Sequence, residues 1–154
     1  MRKIIPRELY EQVLKHTVVS AVDAVIHRDG EVLVALRKQD PCKGQWWIPG
    51  GRQEKGESGE EAIVRKVKEE VGLDVKVERL IGVYDISFGR TAFQNVRTGV
   101  HHVVRVYLVT PKNAKQNVRT DSTQKEYKWI GRIEEGLHNY VKRALSESGV
   151  FEKK

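Results

Sequence analysis

The sequence predicts a single α/β domain in which helices cover a mixed β-sheet, and three observations carry that prediction. "TVVSAVDAVIHRDGEVLVALRK" reads as two β-branched runs joined through Asp29-Gly30, a hairpin and therefore an antiparallel pair. "DVKVERLIGVYDIS" and "VHHVVRVYLVTP" are rich in Val, Ile and Tyr and long enough for full strands. Helical spacings lie before, between and after these runs, without the regular strand-helix alternation of a parallel sheet.

Taken in order, "IPRELYEQVLKHT" puts a proline where a first helical turn tolerates it. Leu9, Val13 and Leu14 follow at helical spacing, so a short helix is expected over 6–16. After the hairpin, "DPCKGQWWIPGG" reads as loop with a brief extended piece, and "KEYKWIG" as a short late strand. "RIEEGLHNYVKRALSESG" places Ile133, Leu137, Tyr140, Val141 and Leu145 on one face and ends at Gly149, which predicts a C-terminal helix over about 132–148. "SFGRTAFQNVRTG" and "KNAKQNVRTDSTQ" are polar, turn-rich connections of the kind that select substrates on a rigid scaffold.

The chain has 154 residues, 39% hydrophobic and 32% charged, which suits one domain with its own core. No apolar run has the length of a signal peptide's core or of a membrane-spanning helix, and a cytoplasmic protein is expected. The single cysteine, Cys42, excludes an internal disulfide and a cysteine-based zinc site, and it reads as inert. A net charge of +7 favours polyanions, either nucleic acids or phosphorylated small molecules. Lys and Arg are scattered, with no block of five, which reads as a solvated surface rather than a nucleic-acid interface.

From Glu57 to Val71 the chain lacks Pro, is rich in Glu, Ala, Lys and Arg, and stops at Gly72, so a helix is expected. On such a helix Glu57, Glu61, Arg65 and Glu69 fall four apart along one side, with Glu70 about 100° round from Glu69. Carboxylates so grouped suit Mg²⁺ or Mn²⁺, which keep several waters and share their other positions with phosphate oxygens. "PGGR", just upstream, lets the backbone come close and offer a carbonyl as a further ligand. Acids interleaved with lysines on a surface helix also form plain i,i+4 pairs, and the residue pattern alone leaves both readings open.

Gly51 to Leu73 resembles the Nudix signature, G-x5-E-x7-R-E-U-x-E-E-x-G-U with U a bulky aliphatic. Gly51, Glu57, Arg65, Val67, Glu69, Glu70, Gly72 and Leu73 match at the required spacing. The resemblance implies the Nudix α/β/α sandwich with a mixed β-sheet, and hydrolysis of a nucleoside diphosphate linked to another moiety, usually with Mg²⁺. Carried over by position, it makes Glu69, Glu70 and the Gly50 carbonyl the metal ligands, and Glu57 and Arg65 a supporting pair among the catalytic residues.

The ninth defined position should be glutamate, and this chain has Lys66. An ammonium can act neither as general base nor as metal ligand, so the base must lie elsewhere, and Lys66 either turns into the cleft or runs outward along the helix. Beyond the box, "PCKGQWWIPGGR", "RDGEVLVALRK", "EYKW" and the N-terminal helix resemble the GDP-mannose mannosyl hydrolases, which cleave at the sugar carbon. That likeness points to a nucleotide-sugar substrate and a homodimer paired through the N-terminal region. It also puts Arg37, Arg52 and Arg65 around the diphosphate.

Two positions depart from the resemblance. A metal-binding glutamate expected before the late tryptophan is replaced by Thr123, with Asp121 and Glu126 nearby, and a late histidine base is replaced by Gln124. Asp23, Asp85, His101 and His102 are the other candidate bases. Trp46 and Phe93 are candidates for stacking on a nucleobase. Two other functions stay open: a pyrophosphohydrolase of nucleoside triphosphates or ADP-ribose with a relocated base, and a nucleotide-binding domain with little turnover.

Overall fold

The computed structural model describes residues 4–119 and 126–152. Its elements run α1 (Arg7–His16), β1 (Val19–Arg28), β2 (Glu31–Leu36), β3 (Trp46–Trp47), β4 (Gly50–Arg52), α2 (Gly59–Val71), β5 (Val75–Phe88), β6 (Val100–Pro111), β7 (Tyr127–Ile130) and α3 (Asn139–Ser148). The mixed sheet and its covering helices agree with the predicted class.

β1 is the organising strand. Along one edge it pairs in parallel with β6, from Val19 opposite His102 to Ile26 opposite Val109. Its other edge is divided. β2 pairs with it only beside the turn, at His27 and Arg28, then departs to pair with β3 and β7. β4 takes the vacated stretch, Ala21 to Asp23. A cleft opens where β2 and β4 part company.

Both faces of β1 are covered, which is why its sequence runs nearly continuously apolar instead of alternating. Val22, Ala24 and Ile26 pack with Ile63, Val67 and Val71 of α2, and Ala21 and Val25 pack with Tyr140, Val141 and Leu145 of α3. The sheet is thus sandwiched between α2 and α3, and each fully buried Val or Ile contributes about 1.5–3 kcal/mol. α1 sits apart, its Leu14 packed with Val19, Val96 and Val100. No helix among the described residues is long and apolar enough to cross a membrane.

Three expected boundaries need correction. The acidic helix begins at Gly59, not Glu57, because Ser58 caps it: the Ser58 hydroxyl accepts from the Glu61 N–H while the Glu61 carboxylate accepts from the Ser58 N–H. The C-terminal helix begins at Asn139 rather than near 132. A turn closed by the Leu137 N–H on the Glu134 carbonyl precedes it, and the His138 ring accepts from the Tyr140 N–H at its start. Ile133 and Leu137 still join the core, so their spacing mimics a helix. The brief extended piece is two strands, β3 and β4.

The end of α2 is tied down from outside. Gly72 closes it in the left-handed conformation at φ 71°. The Arg119 N–H donates to the Val71 carbonyl at 2.8 Å, and the Tyr127 hydroxyl to the Glu70 carbonyl at 2.7 Å. The expectations for Asp121, Thr123 and Gln124 lie outside the described residues, and Glu126 is exposed just before β7.

Candidate functional site

The capping of α2 fixes where its acids point. Glu61, drawn into the cap, faces away from the site and leaves Glu57 in the preceding loop. From there Glu57 meets Arg65 in a two-point ion pair, Nε to Oε2 at 3.0 Å and Nη2 to Oε1 at 2.6 Å. Arg65 also donates to both Glu69 oxygens at 3.3 and 3.4 Å and to the Arg52 carbonyl at 3.1 Å. One guanidinium therefore joins the loop, β4 and the last turns of α2. Its hydrogen bonds hold the Glu57 carboxyl below the usual range, and donating them to Glu57 raises Arg65 above its own.

Lys66 turns inward. Its ammonium lies 3.4 Å from Glu69 Oε2 and 3.3 Å from Glu70 Oε1, with the side chain 12% exposed. Its stem crosses Gly51 so closely that a Cβ there would overlap Lys66 Cε. Glycine at 51 is what lets the lysine reach the acids.

The register between β1 and β4 settles the direction of the Gly50 carbonyl. Ala24 donates to Pro49 and Gln53 to Ser20, so the Asp23–Gly50 and Ala21–Arg52 pairs are the non-hydrogen-bonded ones. The Gly50 and Arg52 carbonyls therefore turn away from β1, to the side from which Arg65 reaches Arg52. A Cβ at Gly50 would overlap Asp23 Oδ1 and the Val22 carbonyl, so only glycine fits there. Among the described residues no three His, Cys, Asp or Glu side chains converge on a point. The Glu69 and Glu70 carboxylates and the Gly50 carbonyl offer oxygen donors alone, the donor chemistry that suits Mg²⁺, which takes its remaining positions from water and phosphate.

The cleft has a volume of about 490 Å³ and is bordered by Asp23, Arg37, Gly50, Arg52, Lys66, Glu70, His102 and Tyr140, with Tyr10, Trp47, Ile86 and Phe88 as its apolar walls. Arg37 is steadied by donating from Nε to the Pro41 carbonyl at 2.6 Å, and the Arg52 guanidinium lies over the Tyr10 ring at 5.4 Å. Three cations, Arg37, Arg52 and Lys66, and two acids, Asp23 and Glu70, thus border one cleft.

Other expected residues fall elsewhere. Trp46 does not border the cleft: it opposes Leu36 and packs against the core under Lys128, while Trp47 turns inward and stacks on Tyr140 at 5.4 Å. Phe93 packs edge-on to Tyr10 at 5.5 Å in the α1 cluster, and Phe88 takes the cleft wall. Asp85 and His101 pair with each other at 2.9 Å on an exposed face, away from the cleft. Arg65 braces the acids and does not border the cleft.

Asp23 and His102 remain at the site. Asp23 is buried, 9% exposed, and accepts from the Tyr140 hydroxyl at 2.6 Å. Burial pushes its carboxyl up to about 7, against the opposing hydrogen bonds of Tyr140 and Trp47 and the charge of Arg37. His102 is held below the usual imidazole range by burial first and by the Arg37 charge second.

The Asp23 shift makes a prediction. In the unfolded chain the carboxyl loses its proton near 3.8, in the folded chain near 7. Between these values the folded state holds the extra proton, so stability falls as pH rises and levels off above about 7. Melting temperatures of wild type and Asp23→Asn in metal-free buffer should therefore diverge between pH 4 and pH 8, the variant gaining on the wild type as pH rises. Parallel curves would remove Asp23 as the source.

A family model described as the NUDIX domain matches residues 16–144. The low-salt glycan biosynthesis protein Agl8 of Haloferax volcanii is 30% identical over 141 residues, 92% of this chain and 88% of that protein. The ADP-ribose pyrophosphatase of Methanocaldococcus jannaschii is 52% identical over 64 residues, 42% of this chain and 38% of that protein. Among solved structures, a MutT NUDIX hydrolase from Burkholderia pseudomallei superposes with a TM-score of 0.67 at 28% identity, covering 86% of this chain and 98% of that one.

Proposed function

The chain belongs to the NUDIX family of hydrolases, enzymes of nucleoside diphosphate derivatives, and we propose that its substrate is a nucleotide sugar, cleaved with the help of Mg²⁺. The observation that carries this reading is one cleft bordered by Glu70, next to Glu69 on the same helical turn, by Gly50, and by Arg37 and Arg52. The glycan biosynthesis name of the Haloferax relative supports a sugar-linked substrate.

Arg37 and Arg52 match diphosphate oxygens with planar guanidinium forks, while Trp47, Phe88 and Ile86 shield the reacting bond from bulk water. Arg65 keeps the acid pair in place through Glu57 and the Arg52 carbonyl. Mg²⁺ held by Glu69, Glu70 and the Gly50 carbonyl would neutralise diphosphate charge as the bond breaks. Asp23 and His102, bordering the cleft, are the groups placed to handle a proton.

Incubation with Mg²⁺ and nucleoside diphosphate sugars, ADP-ribose and nucleoside triphosphates in ¹⁸O-labelled water tests the reading. Label in a released sugar means attack at carbon; label in phosphate means attack at phosphorus. The second outcome is the alternative favoured by the 52% identity with the ADP-ribose pyrophosphatase. Binding of these compounds without release of any product would exclude both.

The same reading includes a homodimer. α1 and its flanks leave Ile4, Leu9 and Val18 exposed, an apolar surface suited to a second copy of the chain. Light scattering at micromolar concentration is expected to give twice the chain mass, and a monomer mass would remove the dimer.

A further inference from the structure

Lysines usually keep their charge in open water. Lys66 is only 12% exposed, its stem lies across Gly51, and its nitrogen is within 3.4 Å of carboxylate oxygens on both Glu69 and Glu70. An ammonium has three N–H donors; Lys66 donates one to Glu69 Oε2, lies 3.3 Å from Glu70 Oε1, and borders the cleft beside Arg37 and Arg52. The charges decide what else can bind. Glu69 and Glu70 supply two negative charges, and the Lys66 ammonium lies against both, while Arg65, 3.3 Å from Glu69, is held more closely by Glu57 at 2.6 Å. One divalent ion can be held there with the help of substrate phosphates, but a further one would have to sit against the Lys66 ammonium.

We propose that Lys66 is the second cation of this site, a tethered charge that stands where a further divalent ion would bind and that itself holds a phosphate oxygen of the bound diphosphate. The proposal rests on Glu69, Glu70 and the Gly50 carbonyl being the divalent-cation site. A tethered cation differs from a dissociable one because it is present at any metal concentration and cannot be removed by a chelator. Diphosphate binding to the metal-free protein should therefore be weakened, not abolished.

Mn²⁺ alone, titrated into the whole protein with free ion counted by electron paramagnetic resonance, tests the first half. Inorganic pyrophosphate, titrated by calorimetry with and without saturating Mn²⁺, tests the second. Wild type should bind one Mn²⁺. Lys66→Met, which keeps a stem over Gly51, should bind one Mn²⁺ about 10-fold more tightly and pyrophosphate about 10-fold more weakly, since a competing charge and a phosphate contact are both lost. Lys66→Glu should bind a second Mn²⁺. If Lys66→Met matches wild type in both titrations, or wild type binds two ions, the proposal is overturned; Lys66→Met decides alone should Lys66→Glu melt early. A wild type that binds no Mn²⁺ instead overturns the metal reading beneath it.

Discussion

Glu70→Gln should lower turnover of the best substrate by at least about 100-fold, because the charge that would anchor a divalent cation at the cleft wall disappears while the shape stays. The ranking among the acids is the sharper expectation. Glu69 is shared with Arg65 and Lys66 and does not border the cleft, whereas the Glu70 side chain borders it. Glu70→Gln should therefore cost more activity than Glu69→Gln. The Glu70 backbone, fixed by Tyr127, keeps its place in either variant, and the melting temperature should move by less than about 3 °C, the effect of roughly 1 kcal/mol in a domain of this size. Steady-state rates, Mn²⁺ affinity and a thermal melt on each variant supply the check. Activity within threefold of wild type for Glu70→Gln would sink the assignment.

Gly50→Ala should be damaging for a different reason. The added methyl meets the Val22 carbonyl, a backbone atom in a fully covered strand, and Asp23 Oδ1, which the Tyr140 hydroxyl holds from the other side through its carboxylate partner. Neither can step aside by rotating a side chain, so β4 must move off β1. Overpacking of this kind costs about 1–3 kcal/mol or more, which corresponds to a loss of roughly 2–12 °C in melting temperature. The displaced strand carries the Gly50 carbonyl and the Arg52 anchor of Arg65, so turnover should fall by more than about 10-fold even at temperatures where the variant stays folded. Gly44→Ala is the control: that glycine has open space around its Cβ position and lies away from the acids, and although its φ of 83° brings some strain, turnover at low temperature should change little. Equal losses in the two variants would show that backbone strain in general, rather than the β1–β4 contact, is responsible.

Much of this was legible in the sequence, and the residues show which kinds of information were missing. The Asp29-Gly30 hairpin and the bounds of β6 follow from local turn chemistry and β-branched runs, and both stand in the structure. The box spacing brought Glu57, Arg65, Glu69 and Glu70 to notice together, and they lie in one connected network. The start of α2 differs from the expected Glu57 although its signal lies in the sequence: Ser58-x-x-Glu61 is a capping box, and it removes Glu61 from the acid face and Glu57 from the helix. Alternation along a strand puts Trp46 and Trp47 on opposite faces but cannot say which face is the cleft; the pairing of Ala35 with Trp47 and Leu36 with Trp46 decides that. Phe93 and Phe88 differ only through contacts with α1 and the cleft wall. The burial of Asp23 depends on Tyr140, a residue on the far side of the chain's sequence that no local pattern ties to it.

The two ties on the end of α2 have a consequence for how this molecule can change. Arg119 and Tyr127 fasten to the carbonyls of neighbouring residues, Val71 and Glu70, so both ends of the intervening sequence are moored to the same helical turn. Once its ends are moored, a connection can be lengthened or rewritten at small cost, since doubling a flexible loop adds only about 0.6 kcal/mol of closure entropy. The closure of that connection rests on the two ties themselves, so a change in its length leaves Arg119, Tyr127 and the turn of α2 that carries Glu69 and Glu70 where they are.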